Sequence, residues 1–179
     1  MSVTAITDYL SIAAWPSAEN ITIMRQLGVR LVISMTNREP PPELAAPPFQ
    51  LLHLPANDFP FRPIPMTTLC TGVAAALPVI ADGGKVAVHC SRGRHRSVAM
   101  ACAILIGMGH SGDAAMLIVK TQRPQADPYI WYIRRRVNAF EEMWPDGCAV
   151  ELGWPTAEAQ SLLASSTLTT SANHSERPL

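Results

Sequence analysis

The chain has no excess of charge of either sign. Its 179 residues include 14 Lys and Arg and 14 Asp and Glu, so the formal net charge is zero, and only 16% of the residues are charged. A protein that binds nucleic acid or an anionic membrane surface through its overall charge normally carries a basic excess. The composition therefore predicts a protein with neither nucleic acid nor a membrane as its partner.

Long hydrophobic segments are also missing. The longest apolar run, residues 98–108, is too short to cross a bilayer as a helix, since a spanning helix needs about 20 apolar residues. The first cationic side chain is Arg25, so the N-terminal segment has no positively charged start of the kind found in secretory signals. We expect a cytoplasmic protein.

Cysteine is scarce, and its spacing matches no metal-binding motif. Zinc sites in proteins usually place their ligands in close pairs along the chain. The four cysteines here, Cys70, Cys90, Cys102 and Cys148, and the five histidines are scattered instead. We expect no metal ion and no other cofactor. Four cysteines without regular spacing suit a reducing compartment, in which Cys90 would stay free.

The apolar residues that are present, 48% of the chain, fall into alternating strand and helix patterns. Short β-branched runs predict strands, and longer apolar stretches with helical spacing predict helices. The predicted strands are residues 9–14, 29–35, 50–54 and 86–88, and the predicted helices are residues 19–27, 66–81, 98–108, 112–121 and 128–143. We expect an α/β fold with a central mixed or parallel sheet flanked by helices, and a helical C-terminal half.

The length of the chain fits one compact domain. We place this single domain at residues 1–150. The remaining residues, 151–179, are rich in Ser, Thr and Ala, and residues 165–175 hold little apolar material. Such a composition predicts a largely flexible tail.

The most informative segment is residues 89–97, His-Cys-Ser-Arg-Gly-Arg-His-Arg-Ser. It lies between a predicted strand and a predicted helix, where a short loop can turn its N–H groups to a common centre. The helix N-terminus adds unpaired donors and the positive end of its dipole. Gly93 allows close approach of the backbone to an anion, and the planar fork of Arg96 can hold two phosphate oxygens at once. The segment predicts a phosphate pocket with Cys90 as nucleophile.

Cys90 would have to be a thiolate at neutral pH, although a free cysteine has a pKa of about 8.5. A helix dipole contributes about 0.3–1 kcal/mol, which lowers a thiol pKa by at most about one unit. We therefore expect Arg96 and the loop N–H groups to supply the rest. Ser97 can donate its hydroxyl hydrogen bond to the sulfur, which makes the sulfur a better leaving group when a covalent intermediate breaks down.

The residues His89-Cys90, Gly93 and Arg96-Ser97 resemble the signature of the cysteine-based protein tyrosine phosphatases, in the dual-specificity branch. The similarity extends over residues 5–144 and is greatest to the small atypical members that consist of a bare catalytic domain. It implies the fold of that branch and hydrolysis of phosphomonoesters through a cysteinyl phosphate. The implied partners are proteins that carry phosphotyrosine, or also phosphoserine and phosphothreonine. No metal ion is needed in such a scheme, because Arg96 and the loop N–H groups stabilise the charge.

A general acid is needed to protonate the departing oxygen. The segment 55–63, Pro-Ala-Asn-Asp-Phe-Pro-Phe-Arg-Pro, offers Asp58, and the resemblance implies that the mobile acid loop of the family lies here. Asp58 would then act as the base on the water that hydrolyses the intermediate. The alternative role for Asp58 is an Asx turn, and the alternative acid is Asp82, although Asp82-Gly83-Gly84 is typical of a turn.

The rim of the predicted pocket is unusually basic. We expect contacts to phosphate from residues between the nucleophile and Arg96, namely Ser91, Arg92, Gly93, Arg94 and His95. Such a rim is similar to that of the fungal and plant atypical phosphatases that act on inositol pyrophosphates. Inositol polyphosphates or phosphoinositides are therefore the alternative substrates, since extra cations favour extra phosphates. The same side chains can instead point to solvent.

Two further residues are expected to support the phosphate loop. His89 would orient the loop through its ring nitrogens, the alternative being a core histidine. Arg123 matches a family position near the phosphate site, the alternative being a cation at a helix C-terminus. The three arginines at 134–136 are expected to form a solvated helix face, although one of them could reach the pocket rim.

Three other functions stay open for Cys90. It could be a buried structural cysteine, the reactive cysteine of a rhodanese-type sulfur carrier, or part of a module that binds phosphorylated partners without turnover. Modules of the last kind usually lack the nucleophile or the acid, whereas this chain has Cys90 and Asp58.

Overall fold

The computed structural model describes residues 3–152. Apart from residues 151 and 152, the predicted tail lies outside the described residues. The elements in chain order are β1 (Val3–Ala5), β2 (Leu10–Ala13), α1 (Ala18–Gln26), β3 (Val29–Ser34), a 3₁₀ turn (Pro42–Ala45), β4 (Gln50–His53), α2 (Met66–Ala81), β5 (Lys85–His89), α3 (Arg96–Gly107), α4 (Gly112–Gln122), α5 (Trp131–Met143) and α6 (Asp146–Leu152).

The five strands form one mixed sheet in the order β1-β2-β5-β3-β4. The four strands from β2 to β4 in this order run parallel, and β1 pairs antiparallel with β2 at the edge. The central strand β5 is apolar and buried at residues 86–88, as expected for a parallel strand covered on both faces. Ligands of such sheets bind beyond the carboxyl ends of the strands, where the segments after β2, β4 and β5 meet.

The sheet separates two apolar clusters. α1 and the 3₁₀ turn cover one face, where Met24 and Leu44 pack with Val32. The other helices cover the opposite face, and all twelve residues of α3 are buried there. A helix that is apolar on all sides belongs in a core. The predicted α/β fold with a mixed sheet and a helical C-terminal half is confirmed.

Most predicted elements agree with the observed ones to within about three residues at their ends. Two elements were not predicted. β1 is a three-residue edge strand, too short to show a periodic pattern. α6 follows Pro145 and contains Gly147, residues that are typical of a turn, and it crosses the domain boundary that we predicted at residue 150.

The four cysteines are not all free. Cys70 of α2 and Cys148 of α6 form a disulfide, while Cys90 and Cys102 are free. Both half-cystines are buried where α6 packs against α2. The pair could not be inferred from the sequence, because 78 residues separate the two cysteines and their approach depends on how two helices pack.

Two further features concern membranes and metals. Among residues 3–152, no helix combines the length and the apolar character that a bilayer-spanning helix needs. In the same part of the chain, no group of three or more His, Cys, Asp or Glu side chains is arranged to hold a metal ion.

Candidate active site

The predicted phosphate loop, residues 90–95, connects the end of β5 to the first residue of α3. Gly93 has a φ of +65° in this loop. A Cβ atom at Gly93 would lie 2.6 Å from Nη2 of Arg123 and 2.9 Å from the carbonyl oxygen of Ala13. Both the backbone conformation and the space therefore require glycine at this position.

The Cys90 sulfur lies at the base of this loop. The residue is 1% exposed, the Gly93 N–H donates to Sγ at 3.2 Å, and the Ser97 hydroxyl lies 3.3 Å from Sγ. Burial alone would raise the pKa of the thiol. Hydrogen bonds from the hydroxyl and the main chain of Ser97 and from the main chain of Arg92, together with the charge of Arg96, outweigh it and lower the thiol pKa. The donors around the buried sulfur therefore stabilise the thiolate relative to that of a free cysteine.

We expect Ser97→Ala to raise the pKa of the Cys90 thiol, because it removes a hydroxyl donor to the sulfur. A hydrogen bond to a charged group contributes about 1.5 kcal/mol or more, which corresponds to about one pKa unit. The measurement is the rate of alkylation by iodoacetamide against pH, with Cys90→Ser to show that Cys90 is the residue alkylated. An unchanged profile in the Ser97 variant would show that this hydroxyl does not stabilise the thiolate.

Hydrogen bonds hold the Arg96 guanidinium through Nη1 and Nη2 and leave its Nε open. Its Nη1 donates to the carbonyl oxygens of Met35 at 2.9 Å and Ala56 at 3.1 Å. Its Nη2 donates to the Ser91 hydroxyl at 3.1 Å. Its Nε has no hydrogen-bond partner among residues 3–152 and lies 3.7 Å from Oδ2 of Asp58. The Nε–Nη2 edge is therefore the one that can hold two oxygens of an anion.

Asp58 lies against the phosphate loop. Nδ1 of His95 lies 3.1 and 3.2 Å from the two carboxylate oxygens, and the Tyr132 hydroxyl donates to Oδ1 at 3.0 Å. The same hydroxyl lies 3.0 Å from Nδ1 of His95. Burial, together with the hydrogen bond and charge of Asp58, raises the pKa of Tyr132, so its hydroxyl stays protonated. Nothing in the local sequence indicated Tyr132, which α5 brings to Asp58 from 74 positions away.

Asp82, the alternative acid, lies elsewhere. It follows the last residue of α2, before β5 begins, and its Oδ2 accepts a hydrogen bond from Nη1 of Arg30 at 2.8 Å. This is the edge of the sheet at which β5 starts, whereas Cys90 follows the end of β5. Of these two candidates, the structure brings Asp58 to the phosphate loop.

Arg123 connects the phosphate loop to the N-terminal strand. The residue is 2% exposed, its Nε donates to the carbonyl oxygen of Gly93 at 2.9 Å, and its Nη1 donates to the Thr4 hydroxyl at 2.6 Å. Burial lowers the pKa of Arg123, and the nearby Cys90 acts in the opposite direction. These contacts place Arg123 where it can support the loop, and Thr4 is a partner that the sequence did not indicate.

His89 is buried at the end of β5. Its carbonyl oxygen accepts a hydrogen bond from the Met35 N–H at 2.9 Å, and its ring stands edge-on to Trp15 with the centroids 6.3 Å apart. Burial lowers the pKa of the ring to about 4, so it is neutral at pH 7. A hydrogen bond with the main chain of Cys90 acts against burial on this pKa. The ring of His89 therefore lies beside the first residue of the phosphate loop.

The side chains of the basic rim differ in whether they contact a carboxylate. His95 contacts the carboxylate of Asp58. The side chains of Arg92 and Arg94 are exposed, and neither forms an ion pair with a carboxylate in the described part of the chain. These two cations are free to meet an anion at the mouth of the loop.

A model of a known protein family matches most of the chain. It is the model of the dual specificity phosphatase catalytic domain, and it matches residues 10–142. The matched range runs from the start of β2 almost to the end of α5. It therefore includes the phosphate loop, Asp58 and Tyr132.

Individual proteins agree with this match. The mouse protein Dual specificity phosphatase 28 is 33% identical over 111 residues, which are 62% of this chain and 66%, just under two thirds, of that protein. The structure of a mouse putative dual specificity phosphatase complexed with zinc tungstate superposes with a TM-score of 0.71 and 27% identity, over 90% of this chain and 91% of that one. The structure of PTPMT1 in complex with PI(5)P superposes with a TM-score of 0.70, over 79% and 96% of the two chains, and at 23% identity it shows a shared fold.

Proposed function

Because the chain belongs to the dual-specificity phosphatase family, we propose that it is an enzyme that hydrolyses phosphomonoesters through a cysteinyl-phosphate intermediate. Its substrates are proteins that carry phosphotyrosine, and also phosphoserine or phosphothreonine. One observation carries this proposal: the Cys90 sulfur, with a lowered pKa, lies among the donors of a loop that Arg96 and Asp58 also reach.

In the first step the Cys90 sulfur attacks phosphorus, and the bond from phosphorus to the leaving oxygen breaks. The N–H groups of residues 91–96 and the Nε–Nη2 edge of Arg96 hold the three other oxygens. A protonated Asp58 donates its proton to the leaving oxygen. The products of this step are a free phenol or alcohol and the cysteinyl phosphate.

In the second step water attacks the cysteinyl phosphate. The Asp58 carboxylate accepts the proton of this water, and the bond between sulfur and phosphorus breaks. The Ser97 hydroxyl, 3.3 Å from the sulfur, stabilises the departing thiolate. The step releases inorganic phosphate and leaves Asp58 protonated for the next turnover.

Three residues position these groups without reacting. Tyr132 and His95 hold the Asp58 carboxylate at the mouth of the loop. Arg123 holds the loop from behind through the Gly93 carbonyl oxygen. The support comes from hydrogen bonds between elements that are far apart in the chain, so the site depends on the whole fold.

The exposed rim favours a second candidate substrate class. Arg92 and Arg94 meet no carboxylate among residues 3–152, and a multiply phosphorylated ligand would gain from such cations. Inositol polyphosphates and phosphoinositides are therefore the alternative substrates for the same chemistry.

A phosphate-release assay that compares phosphotyrosyl peptides with inositol polyphosphates tests the assignment. We expect a higher kcat/KM for the peptides. Arg92→Ala is expected to lower kcat/KM for inositol polyphosphates by up to about fivefold, the range of an exposed ion pair, and to affect the peptides less. Equal losses on both substrates would refute the role of the rim, and faster turnover of inositol polyphosphates would reverse the assignment.

We also propose that the protein works in the cytoplasm. The Cys90 thiol has to stay reduced to react, which a reducing compartment ensures. The Cys70–Cys148 disulfide is the feature that argues in the other direction. Fractionation of cells that express the tagged chain tests this location.

A further inference from the structure

A groove lies beside the candidate active site, between the segment that follows Asp58 and the first turns of α5. Its volume is about 500 Å³. Phe61, Trp131 and two prolines form its apolar walls, and Arg135 and Arg136 line it with positive charge. None of these residues has a role in the chemistry described above.

Tyr132 joins this groove to the reacting groups. Its side chain is part of the groove lining, and its hydroxyl donates to Oδ1 of Asp58 at 3.0 Å. Asp58 in turn lies 3.7 Å from Nε of Arg96. A substrate whose phosphate is held by Arg96 can therefore extend past Asp58 and Tyr132 into the groove.

The apolar walls of the groove are uncovered. Phe61 is 79% exposed and Trp131 is 55% exposed. Phe59, which is 52% exposed, contacts the Phe61 ring with the centroids 5.7 Å apart. Clustered exposed aromatic side chains are typical of binding surfaces, because covering them removes apolar area from water.

The positive charges of the groove are also unmatched. Neither Arg135 nor Arg136 forms an ion pair with a carboxylate among residues 3–152. Partial burial and the charge of Arg135 lower the pKa of Arg136. Two neighbouring cations, one of them partly desolvated, repel each other, and a bound anion would relieve this repulsion. Arg134 lies on the same helix but does not line this groove.

We propose that this groove is a subsite for a residue flanking the phosphorylated residue of a protein substrate, and that it takes an acidic side chain. Arg135 and Arg136 hold the carboxylate, or a second phosphate, and the aromatic walls contact the neighbouring part of the peptide. This inference rests on the proposed function, since it concerns the substrate of the same site. It deepens that function by assigning a sequence preference to the substrate.

The walls favour a peptide over an inositol phosphate as the occupant. An inositol ring that carries several phosphates is polar on every side, so it gains little from contact with Phe61 and Trp131. A peptide offers apolar side chains and backbone next to its acidic group, and both parts of the groove then have a partner. The charge and the apolar walls of the groove thus point to the same class of ligand.

The binding arm of the test uses the Cys90→Ser protein, so that peptides bind without turnover. The probes are two fluorescein-labelled phosphotyrosyl peptides that differ only in having glutamate or glutamine at the flanking positions. Fluorescence anisotropy is expected to show about tenfold tighter binding of the glutamate peptide, as for a hydrogen-bonded charge pair. Arg135→Ala with Arg136→Ala should bring the ratio of the two dissociation constants close to one, whereas Arg134→Ala, the matched control, should preserve it.

The activity arm uses the enzyme with Cys90 intact and p-nitrophenyl phosphate, which carries no flanking residue to occupy the groove. Equal turnover by the wild type and by the Arg135 and Arg136 variants is expected, and it shows that these variants are folded. Absence of this turnover in the wild type would reject the proposed function and not the subsite. Any of three results would overturn the subsite. They are equal affinity for the two peptides, a preference for glutamate that survives the double substitution, and arginine-dependent binding of inositol hexakisphosphate in place of the peptides.

Discussion

Cys90→Ser is expected to reduce phosphate release from an aryl phosphate to the background of the assay, a loss of about 10⁴-fold or more in kcat. A serine hydroxyl is far less acidic than a thiol, so the donors that favour the Cys90 thiolate would not ionise it at neutral pH. The Gly93 N–H and Arg96 remain in place to hold phosphate. We therefore expect the variant to keep its affinity for a phosphotyrosyl peptide, which fluorescence anisotropy measures.

Cys102→Ala is the matched control for this substitution. Cys102 is the other free cysteine of the described residues, it is fully buried in α3, and burial raises its pKa. This variant should keep its phosphatase activity. Phosphate release that survives in Cys90→Ser would contradict the cysteinyl intermediate. A folded wild type that binds phosphotyrosyl peptides but releases no phosphate would be a binding module instead.

The local part of this site could be predicted because its parts are neighbours in the chain. The run from His89 to Ser97 contains the end of a strand, a glycine, an arginine and the start of a helix. Strand and helix patterns on either side predict the ends of the loop to within about two residues. Cys90, Arg96 and Ser97 therefore meet in the structure much as the spacing implied.

The rest of the site depends on contacts between distant parts of the chain. Tyr132 reaches Asp58 from α5, and Thr4 reaches Arg123 from β1. An isolated tyrosine in a helix, or a threonine in a three-residue strand, carries no local signal of such a contact. These partners become visible only when the order of the strands and the packing of the helices are known.

The same limit applies to the fold. The long apolar pattern of residues 66–81 predicted the bounds of α2, because many side chains in one element repeat the same signal. No repeated pattern in the sequence signals the Cys70–Cys148 disulfide, which is a single contact between two helices. One of these helices, α6, also starts with residues that are typical of a turn. Periodic features of this chain were therefore predictable, and single tertiary contacts were not.

Asp58→Asn is expected to lower kcat by about 10²-fold or more for substrates with poor leaving groups, such as phenyl phosphate or phosphoserine peptides. A poor leaving group needs a proton from the acid, whereas p-nitrophenolate departs without one. The loss should therefore be much smaller for p-nitrophenyl phosphate. Asparagine keeps an oxygen that can accept the hydrogen bond from Tyr132, so the segment retains this anchor to α5. The measurement is kcat across a series of aryl phosphates of graded leaving-group pKa.

The dependence on the leaving group separates proton donation from a structural role of Asp58. Besides its contacts to His95 and Tyr132, Asp58 lies 3.7 Å from Nε of Arg96, so its substitution also alters the charge around the phosphate site. That change acts on every substrate alike and would lower all rates by one factor. Asp82→Asn is the control, because Asp82 is exposed and pairs with Arg30 at the opposite edge of the sheet. A large loss in the Asp82 variant, or a uniform loss in the Asp58 variant, would contradict the assignment of Asp58 as the acid.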